Sequence, residues 1–290
     1  MGEITRRTAL AGLATAAWAG AGRSVARAEA EVPLAFGLTP VFLSSDLVLL
    51  DRLRAYLERA TGRSVRLVTR RTYQEVTALL VSGQLDAAWI CGYPFVAYRD
   101  QLELVATPIW RGAPLYRSYL IVDARREAEA LADLAGDVHA FSDPDSNSGW
   151  LVTAAALATS GTTPERHFAQ RIFTWGHRNV IRAVGAGLAQ SGSVDGYVYE
   201  VMRETDPELL ARTRVLTASE PLGFPPVACN GAASGGARVG ALRSALLAMA
   251  EDEVGRAVLE TLRLDGFRTA PASLYEPIAE KVAVVRRGEE

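Results

Sequence analysis

The chain alternates short apolar runs with longer amphipathic stretches, a pattern typical of strands that alternate with helices. Apolar runs predict strands at 34–38, 65–69, 85–90, 138–141 and 172–175. Apolar residues spaced by three or four positions predict helices at 47–60, 73–81, 127–134, 150–159, 178–189, 238–250, 253–262 and 273–286. This order of elements favours an α/β protein with largely parallel strands.

One helix–turn–strand pattern occurs twice. Residues 78–90 read ALLVSGQLDAAWI, and residues 187–199 read GLAQSGSVDGYVY. Each copy runs from the end of a helix through a Ser-Gly turn to an aspartate, and then to an apolar run that predicts a strand. The repeat predicts two halves of similar winding with a cleft between them. It places Cys91 and Glu200 at corresponding positions just beyond the two copies.

Two extended segments, 118–122 and 215–224, separate these halves and predict where the chain crosses between them. We expect residues 31–117 and 225–290 to form one lobe and residues 123–214 to form the other. The predicted fold class is therefore α/β, with two doubly wound lobes joined by two crossing segments that act as a hinge. A single-domain α/β enzyme with a long insertion is the alternative interpretation of the same pattern.

Residues 1–30 differ in kind from the rest of the chain. An arginine pair at 6–7 precedes an uncharged, Ala/Gly-rich run at 8–22, and Ala-x-Ala sites follow that end at Ala28 and Ala30. This order is typical of an export signal, here similar to a twin-arginine signal, with cleavage near Ala28 or Ala30. We expect the mature protein to lie in the periplasm.

The composition narrows the function further. The 31 basic and 33 acidic side chains nearly balance, and no basic stripe is interleaved with aromatic residues, which disfavours nucleic-acid binding. The three histidines and two cysteines lack the spacing of metal ligands, so neither a metal nor a cofactor is expected. We expect a monomer. The spacing of Cys91 and Cys229 leaves open whether they form a disulfide.

The polar loop 143–149 is the sharpest candidate for ligand chemistry. It follows a predicted strand, opens a predicted helix and carries two hydroxyl groups, on Ser146 and Ser148. The start of a helix presents unpaired N–H groups and the positive end of its dipole, so these donors suit an oxyanion. The alternative is that one serine only caps the helix.

A second junction of the same kind lies at 175–179, where His177 precedes a predicted helix and could donate to an anion. In the other half, Cys91 and Tyr93 follow a predicted strand and could line the cleft. The alternatives are a small buried apolar side chain for Cys91 and an aromatic ring packed under the turn for Tyr93. Glu200 is the candidate acid for the amine of an amine-bearing ligand.

These loops resemble the phosphate/phosphite/phosphonate-type solute-binding proteins of ABC transporters, a branch of the type II periplasmic binding fold. The resemblance covers nearly the whole mature chain and is carried by SGQLDAAWICGYPFVAY at 82–98, LYRSYLIV at 115–122, DPDSNSGWL at 143–151 and the WGHRNVIRAV–VDGYVYE stretch at 175–200. The resemblance implies anion-binding roles for Ser146, Asn147, Ser148 and His177. It also implies a polar residue at the mouth of the cleft, which here is Cys91 or Tyr93.

The resemblance implies a non-enzymatic receptor that captures a small oxyanion for an ABC transporter permease. Cys91 departs from the family pattern, because a thiol is a poor donor to phosphate and a good ligand for trivalent arsenic. An arsenite-binding sensor that uses Cys91 and signals to a membrane histidine kinase is therefore the alternative. An esterase or thiol hydrolase, with His177 as the base for Cys91, is the alternative from another class.

Overall fold

The structure, a computed structural model, describes residues 32–40 and 47–289. Residues 32–290 form one compact unit, and the predicted export signal at 1–30 lies outside the described residues. The strands are β1 Leu34–Leu38, β2 Val65–Thr69, β3 Ala87–Trp89, β4 Leu102–Ile109, β5 Leu115–Tyr116, β6 Ser118–Asp123, β7 Val138–Phe141, β8 Gln170–Phe173, β9 Ser191–Asp195, β10 Thr213–Ala218, β11 Leu222–Gly223, β12 Val227–Asn230 and β13 Gly266–Arg268.

The α-helices are α1 Leu47–Thr61, α2 Tyr73–Val81, α3 Gly92–Ala97, α4 Val152–Thr159, α5 Pro164–His167, α6 His177–Gly185, α7 Gly196–Thr205, α8 Pro207–Leu210, α9 Ala237–Leu247, α10 Glu253–Leu262 and α11 Glu276–Glu289. The local sequence explains several boundaries. Thr72 and Glu75 form a capping box at the start of α2, because the threonine accepts the Glu75 N–H and the glutamate accepts the Thr72 N–H.

The first large sheet has the order β13-β4-β12-β3-β1-β2. Its centre is parallel, since β1 pairs in parallel with β2 and β3, whereas β12 runs antiparallel to β3 and β4. The inward residues Leu34 and Phe36 are fully buried. The carboxyl ends of β1, β2 and β3 therefore share one edge of the sheet, which is where ligands bind in open α/β sheets.

The second large sheet has the order β10-β6-β9-β7-β8, with β7 parallel to β8 and β9. Its interior contains a polar chain. The two ring nitrogens of His139 contact Ser191 Oγ at 2.7 Å and Ser193 Oγ at 2.9 Å, and Ser191 donates to Asp137. Arg126 pairs with the same aspartate. Each buried group thus has a partner, which removes most of the cost of burying it.

A two-stranded ribbon of β5 and β11 lies outside both large sheets, with Tyr116 opposite Leu222. The flanking strands β6 and β10 pair with each other inside the second sheet. The fold is α/β with two open mixed sheets, which confirms the predicted α/β class. The predicted crossings at 118–122 and 215–224 thus overlap β6, β10 and β11.

Several elements differ from the prediction. Strands β4, β12 and β13 were not predicted, and neither was helix α7. The helix predicted at 127–134 is only a short 3₁₀ turn at Leu131–Leu134, because Asp133 accepts the backbone N–H groups of Glu129 and Ala130. Such local side-chain bonds compete with helix formation.

The repeat is not equivalent in structure. Asp86 precedes strand β3, whereas Asp195 ends strand β9, and the apolar run after Asp195 begins helix α7. The polar segment 191–195 forms a strand because its serines find partners on β7, and α7 buries Val198, Val201 and Met202 at helical spacing. The structural counterpart of Cys91 is therefore Asp195, and the prediction that Glu200 corresponds to Cys91 is wrong.

Candidate functional site

The candidate site lies where the carboxyl ends of parallel strands from both large sheets meet. Tyr73 opens α2 after β2, and Cys91 precedes α3 after β3. From the second sheet, the loop 143–149 follows β7 and His177 opens α6 after β8. The groups that form direct hydrogen bonds across this junction are Tyr73, Cys91, Tyr116, Asp143, Asn147 and His177.

The loop 143–149 forms the start of a helix, as the sequence predicts. Ser146 is the N-cap, and its Oγ accepts the Gly149 N–H at 3.0 Å. The turn at Asn147–Leu151 is π-helical and leads into α4. A Cβ on Gly149 would lie 1.9 Å from Ser142 Oγ, so only glycine fits there. The prediction of a helix start after β7 is confirmed, and π-turns of this kind often occur at functional sites.

Cys91 joins the two halves through its sulfur. Its Sγ accepts the backbone N–H of Asn147 at 3.2 Å, and the Tyr93 N–H also bonds to this thiol. Burial raises the pKa of the Cys91 thiol to about 12, although both N–H groups act to lower it. The side chain is therefore a neutral acceptor at physiological pH. Cys91 and Cys229 are both free cysteines, so they do not form a disulfide.

Tyr116 ties the helix start to the two-stranded ribbon. Its Oη accepts Asn147 Nδ2 at 2.7 Å and also hydrogen-bonds the Ser148 side chain. Burial raises the pKa of Tyr116 well above 10, so its hydroxyl stays protonated. Ser118 Oγ, at the start of β6, donates to the Ser148 carbonyl at 2.7 Å. The loop is thus anchored at both sides by hydroxyl groups.

His177 is neutral, and its tautomer follows from its contacts. Nδ1 accepts the Asp195 backbone N–H at 3.1 Å, so the ring proton sits on Nε2, which faces Tyr73 Oη at 3.2 Å. Burial lowers the pKa of His177 to about 3. Because Nε2–H donates to Tyr73, the tyrosine hydroxyl keeps its own proton to donate elsewhere. Sequence reasoning missed Tyr73, although its place at a helix start after a strand could have identified it.

The turn before His177 carries backbone strain. Trp175 adopts a left-handed conformation with φ of 57°, which is unusual for a bulky side chain. Its ring is 42% exposed, so burial of the ring does not compensate for this conformation. Strain of this kind is concentrated at ligand-binding sites, where surrounding structure holds it.

Two buried acids complete the site. Asp143 Oδ2 accepts the Tyr73 N–H at 3.2 Å, and Asp195 Oδ1 caps α7 by accepting the Val198 N–H at 3.2 Å. Burial raises the pKa of both carboxyl groups, that of Asp195 to about 7. Among the described residues, no arginine or lysine hydrogen-bonds to either of these acids. Asp195 is the second site residue that sequence reasoning missed.

Two buried polar atoms at the site have no hydrogen-bond partner among the described residues. They are Oδ1 of Asn147 and Oγ of Ser142, on side chains that are fully buried. Buried polar atoms are normally paired, so these two are open to a polar ligand, the serine hydroxyl as a donor and the amide oxygen as an acceptor. Across residues 32–40 and 47–289, no group of three His, Cys, Asp or Glu side chains is arranged to hold a metal ion.

The structure brings together five of the seven residues that the sequence proposed, namely Cys91, Ser146, Asn147, Ser148 and His177. Tyr93 lies beside them, half-buried against the core, with its N–H on the Cys91 sulfur. Glu200 lies elsewhere on α7, where it pairs with Arg111 and Arg203, each at 3.4 Å. Its ion pairs and hydrogen bonds to other described residues do not reach the cluster.

Residues 36–275 match the model of a family described as "ABC transporter, phosphonate, periplasmic substrate-binding protein". The chain belongs to this family. Its members are periplasmic solute-binding proteins rather than enzymes, which sets aside the alternatives of a hydrolase and of a single-domain enzyme. Within the part of the chain that the structure describes, no helix is both long enough and apolar enough to cross a membrane.

A curated family relative, the phosphate-import protein PhnD of Mycolicibacterium smegmatis, is 30% identical over 167 residues. The alignment covers 53% of this chain and 52% of the relative, so the chain spans about half the length of that protein. Two solved structures share the fold. The binding protein of an ABC phosphonate transporter from Pseudomonas aeruginosa is 20% identical, with a TM-score of 0.80, over 89% of this chain and 88% of that chain.

The second structure is PhnD1 from Prochlorococcus marinus in complex with methylphosphonate. It is 18% identical with a TM-score of 0.76, over 88% of this chain and 98% of that chain. Neither the family nor these relatives are described as binding arsenite, so the arsenite alternative is not supported.

Proposed function

We propose that this protein captures a small phosphorus oxyanion, which is a phosphonate, a phosphite or phosphate, in a cleft between its two large sheets. The support comes from the family and from relatives that are described as importing phosphate or binding methylphosphonate. The site residues of the proposal are Cys91, Tyr93, Ser146, Asn147, Ser148 and His177, together with Tyr73, Tyr116 and Asp195.

The observation that carries the proposal is the meeting of a helix start from one sheet with buried hydroxyl groups from the rest of the fold. The N–H groups and hydroxyls of 146–149 lie against Tyr116 and Cys91, and the Tyr73 hydroxyl lies against His177. These donors are neutral and water is excluded from them. An oxyanion makes charge-assisted hydrogen bonds with those donors that are not already engaged within the protein, such as the Tyr73 hydroxyl, so no buried cation is required.

The proposal includes closure of two lobes on the ligand. The lobes are 31–117 plus 225–290 and 123–214, and the crossing segments 118–122 and 215–224 form the hinge together with the ribbon of β5 and β11. Support comes from the strands, because the first large sheet draws only on the first set of residues, and the second sheet combines strands of the other set with the crossing strands β6 and β10. Small-angle scattering should show compaction when methylphosphonate is added, and an unchanged radius of gyration would contradict closure.

The proposal also covers export and delivery. Residues 1–30 direct the chain to the periplasm and are removed near Ala28 or Ala30, and the mature monomer delivers its ligand to the permease of an ABC transporter. The family description supports a permease as the receiver rather than a sensor kinase. Mass spectrometry of the exported protein tests the cleavage site, and light scattering tests the monomer.

A thermal-shift panel tests the central claim. Methylphosphonate, phosphite and phosphate should each be compared with sulfate and arsenite, and at least one phosphorus oxyanion should raise the melting temperature. Ser148→Ala should reduce that rise, whereas Ser160→Ala, at an exposed serine that ends α4, should leave it unchanged. If none of the phosphorus oxyanions stabilises the protein, the proposed function is wrong.

A further inference from the structure

A cavity of about 380 Å³ lies between helices α4 and α11 and the paired strands β6 and β10. Its volume falls within the range of about 300–1,000 Å³ that is usual for small-molecule sites. The apolar part of its wall comes from Leu120, Leu131, Val152, Ala155, Ala156 and Val284. Among the described residues, this wall contains none of those that we assign to the anion site.

The hydroxyl groups of the wall use their protons within the protein. Backbone carbonyls accept the hydroxyl protons of Ser118, Thr159 and Ser219, at donor–acceptor distances of 2.7, 2.9 and 2.7 Å. A hydroxyl group has only one proton to donate, so each of these three oxygens can only accept a hydrogen bond from a ligand.

Thr153 is a fourth acceptor of this kind, because a chain of hydrogen bonds fixes the direction of its proton. Ser191 donates to Asp137, so Ser191 Oγ must accept the proton of His139 Nδ1. Burial lowers the pKa of His139 to about 3, so the ring is neutral and its Nε2 accepts from Ser193. Ser193 must in turn accept from Thr153 Oγ1, at 2.6 Å. Thr153 lines the cavity and has no proton left for a ligand.

The charged side chains of the wall also favour a ligand that donates. They are Glu220, Glu280 and Lys281. Lys281 pairs with Glu220, which Arg117 also attracts, so the charge of Glu220 is already balanced. Glu280 is exposed and forms no ion pair with another described residue, so its negative charge is left for a ligand.

We propose that this cavity is a second binding site, distinct from the anion site, and that it takes a small organic cation, a primary ammonium group on a short apolar chain. An ammonium group has three protons to donate and no lone pair, so it matches a wall of acceptors. The apolar chain replaces water along Leu120, Val152 and Val284. A carboxylate of the same length would instead meet lone pairs and the charge of Glu280.

Nuclear magnetic resonance tests the site directly, since the methyl groups of Val152 and Val284 report on its wall. Butylammonium should shift these methyl resonances saturably. Butyrate and butan-1-ol have the same chain length but lack the cationic donor, so they should bind at least about fivefold more weakly.

A substitution at the mouth of the cavity tests where the cation binds. Ala156 is exposed and lines the cavity, so Ala156→Phe should block it with little effect on folding and should abolish the saturable shifts. Ala55→Phe is the matched control, because Ala55 is an exposed alanine of α1 and does not line the cavity. This variant should bind butylammonium as the wild-type protein does.

A second substitution tests the charge. Glu280→Gln keeps the shape of the side chain and removes its charge, so it should weaken butylammonium binding by about two- to fivefold. Glu276→Gln is the control on the same helix, because Glu276 is exposed and lies outside the cavity wall. Its affinity for butylammonium should match that of the wild-type protein.

Three outcomes would overturn the proposal. They are binding of butyrate as tight as that of butylammonium, saturable binding of butylammonium that persists in Ala156→Phe, and the absence of saturable shifts at concentrations up to about 100 mM. None of these results bears on the function proposed above, because methylphosphonate binding is measured separately and at other residues.

Discussion

Cys91 and Asp195 occupy equivalent positions in the two halves of the protein. Each is the N-cap of the helix that follows a central strand, α3 after β3 and α7 after β9. The first half thus offers the site a neutral thiol and the second half a carboxyl group, both buried. Two related scaffolds therefore present different chemistry to one ligand.

The Cys91 thiol should be unreactive in the folded protein. It is 2% exposed and its pKa is raised to about 12, so on the order of 10⁻⁴ of it is thiolate at pH 8. In a Cys229→Ser background, labelling of Cys91 by an aromatic disulfide reagent should be slow and should become fast in denaturant. Rapid labelling of the native protein would mean that the thiol is accessible and ionised.

Tyr73→Phe should weaken methylphosphonate binding about tenfold. The substitution removes the hydroxyl, beside His177 Nε2, that the proposed site offers to the ligand, and a hydrogen bond to a charged group is worth about 1.5–3 kcal/mol. Titration calorimetry measures the change in Kd. Tyr98→Phe is the control, because Tyr98 is 42% exposed on the surface. Equal affinities of the two variants for methylphosphonate would show that the Tyr73 hydroxyl does not contribute to binding.

Gly149→Ala should abolish binding and destabilise the protein by several kcal/mol. The new Cβ would lie 1.9 Å from Ser142 Oγ and 3.0 Å from His177 Cε1, so the loop must move. Gly240→Ala on α9 meets no atom within 4 Å and should raise the free energy of unfolding by about 0.5–1 kcal/mol. Denaturant titration measures both, and a neutral Gly149→Ala would show that the loop is loosely packed.

Glu200→Gln should change the affinities for methylphosphonate and aminoethylphosphonate by the same factor. Glu200 pairs with Arg203 and with Arg111, which is 61% exposed, and exposed ion pairs contribute little. Loss of its charge should therefore weaken the binding of each ligand by about two- to fivefold at most. A tenfold change in the ratio of the two affinities would instead place Glu200 at the amine of the ligand, the role that the sequence proposed for it.

Acid should destabilise the protein through its buried histidines. Burial lowers the pKa of both His139 and His177 to about 3, from about 6.5 in the unfolded chain. Between these pKa values the histidines are protonated in the unfolded chain and neutral in the folded protein, so the free energy of unfolding falls as pH falls. Each group contributes about 1.4 kcal/mol per pH unit. The pKa of Asp195 is raised to about 7, so below pH 7 the folded protein binds a proton that the unfolded chain does not. Its contribution to the free energy of unfolding therefore rises as pH falls and offsets that of one histidine.

His139→Gln tests this linkage. The variant should be less stable than the wild-type protein at pH 7.5, because Ser191 and Ser193 lose a well-placed partner. It should also lose less stability between pH 6.5 and pH 4. Urea unfolding at several pH values measures both effects, and parallel curves for the two proteins would contradict the assignment.

Local sequence patterns predicted much of the fold. The predicted bounds of β1, β2, α2, β7 and α10 are those of the structure. These elements have a clear period or clear caps, and neighbouring residues are enough to specify them. Strand β4 was missed although it runs from Leu102 to Ile109, because its pattern breaks with Pro108 near the end. Strands β12 and β13 are short and owe their form to pairing with β4.

The residues of the site also divide into those that local sequence specifies and those that depend on tertiary packing. The helix start at Ser146 and the junction at His177 are local features, so the sequence by itself determined them, together with the family and the two-part α/β plan. Which side chains from the other sheet meet them depends on how the sheets pack. Only the tertiary structure therefore added Tyr73 and replaced Glu200 by Asp195 as the counterpart of Cys91. It also showed that, within the described part of the chain, no arginine or lysine hydrogen-bonds to the two acids of the site. Burial and long-range contact decide those properties, and neither can be determined from the order of residues along one strand or helix.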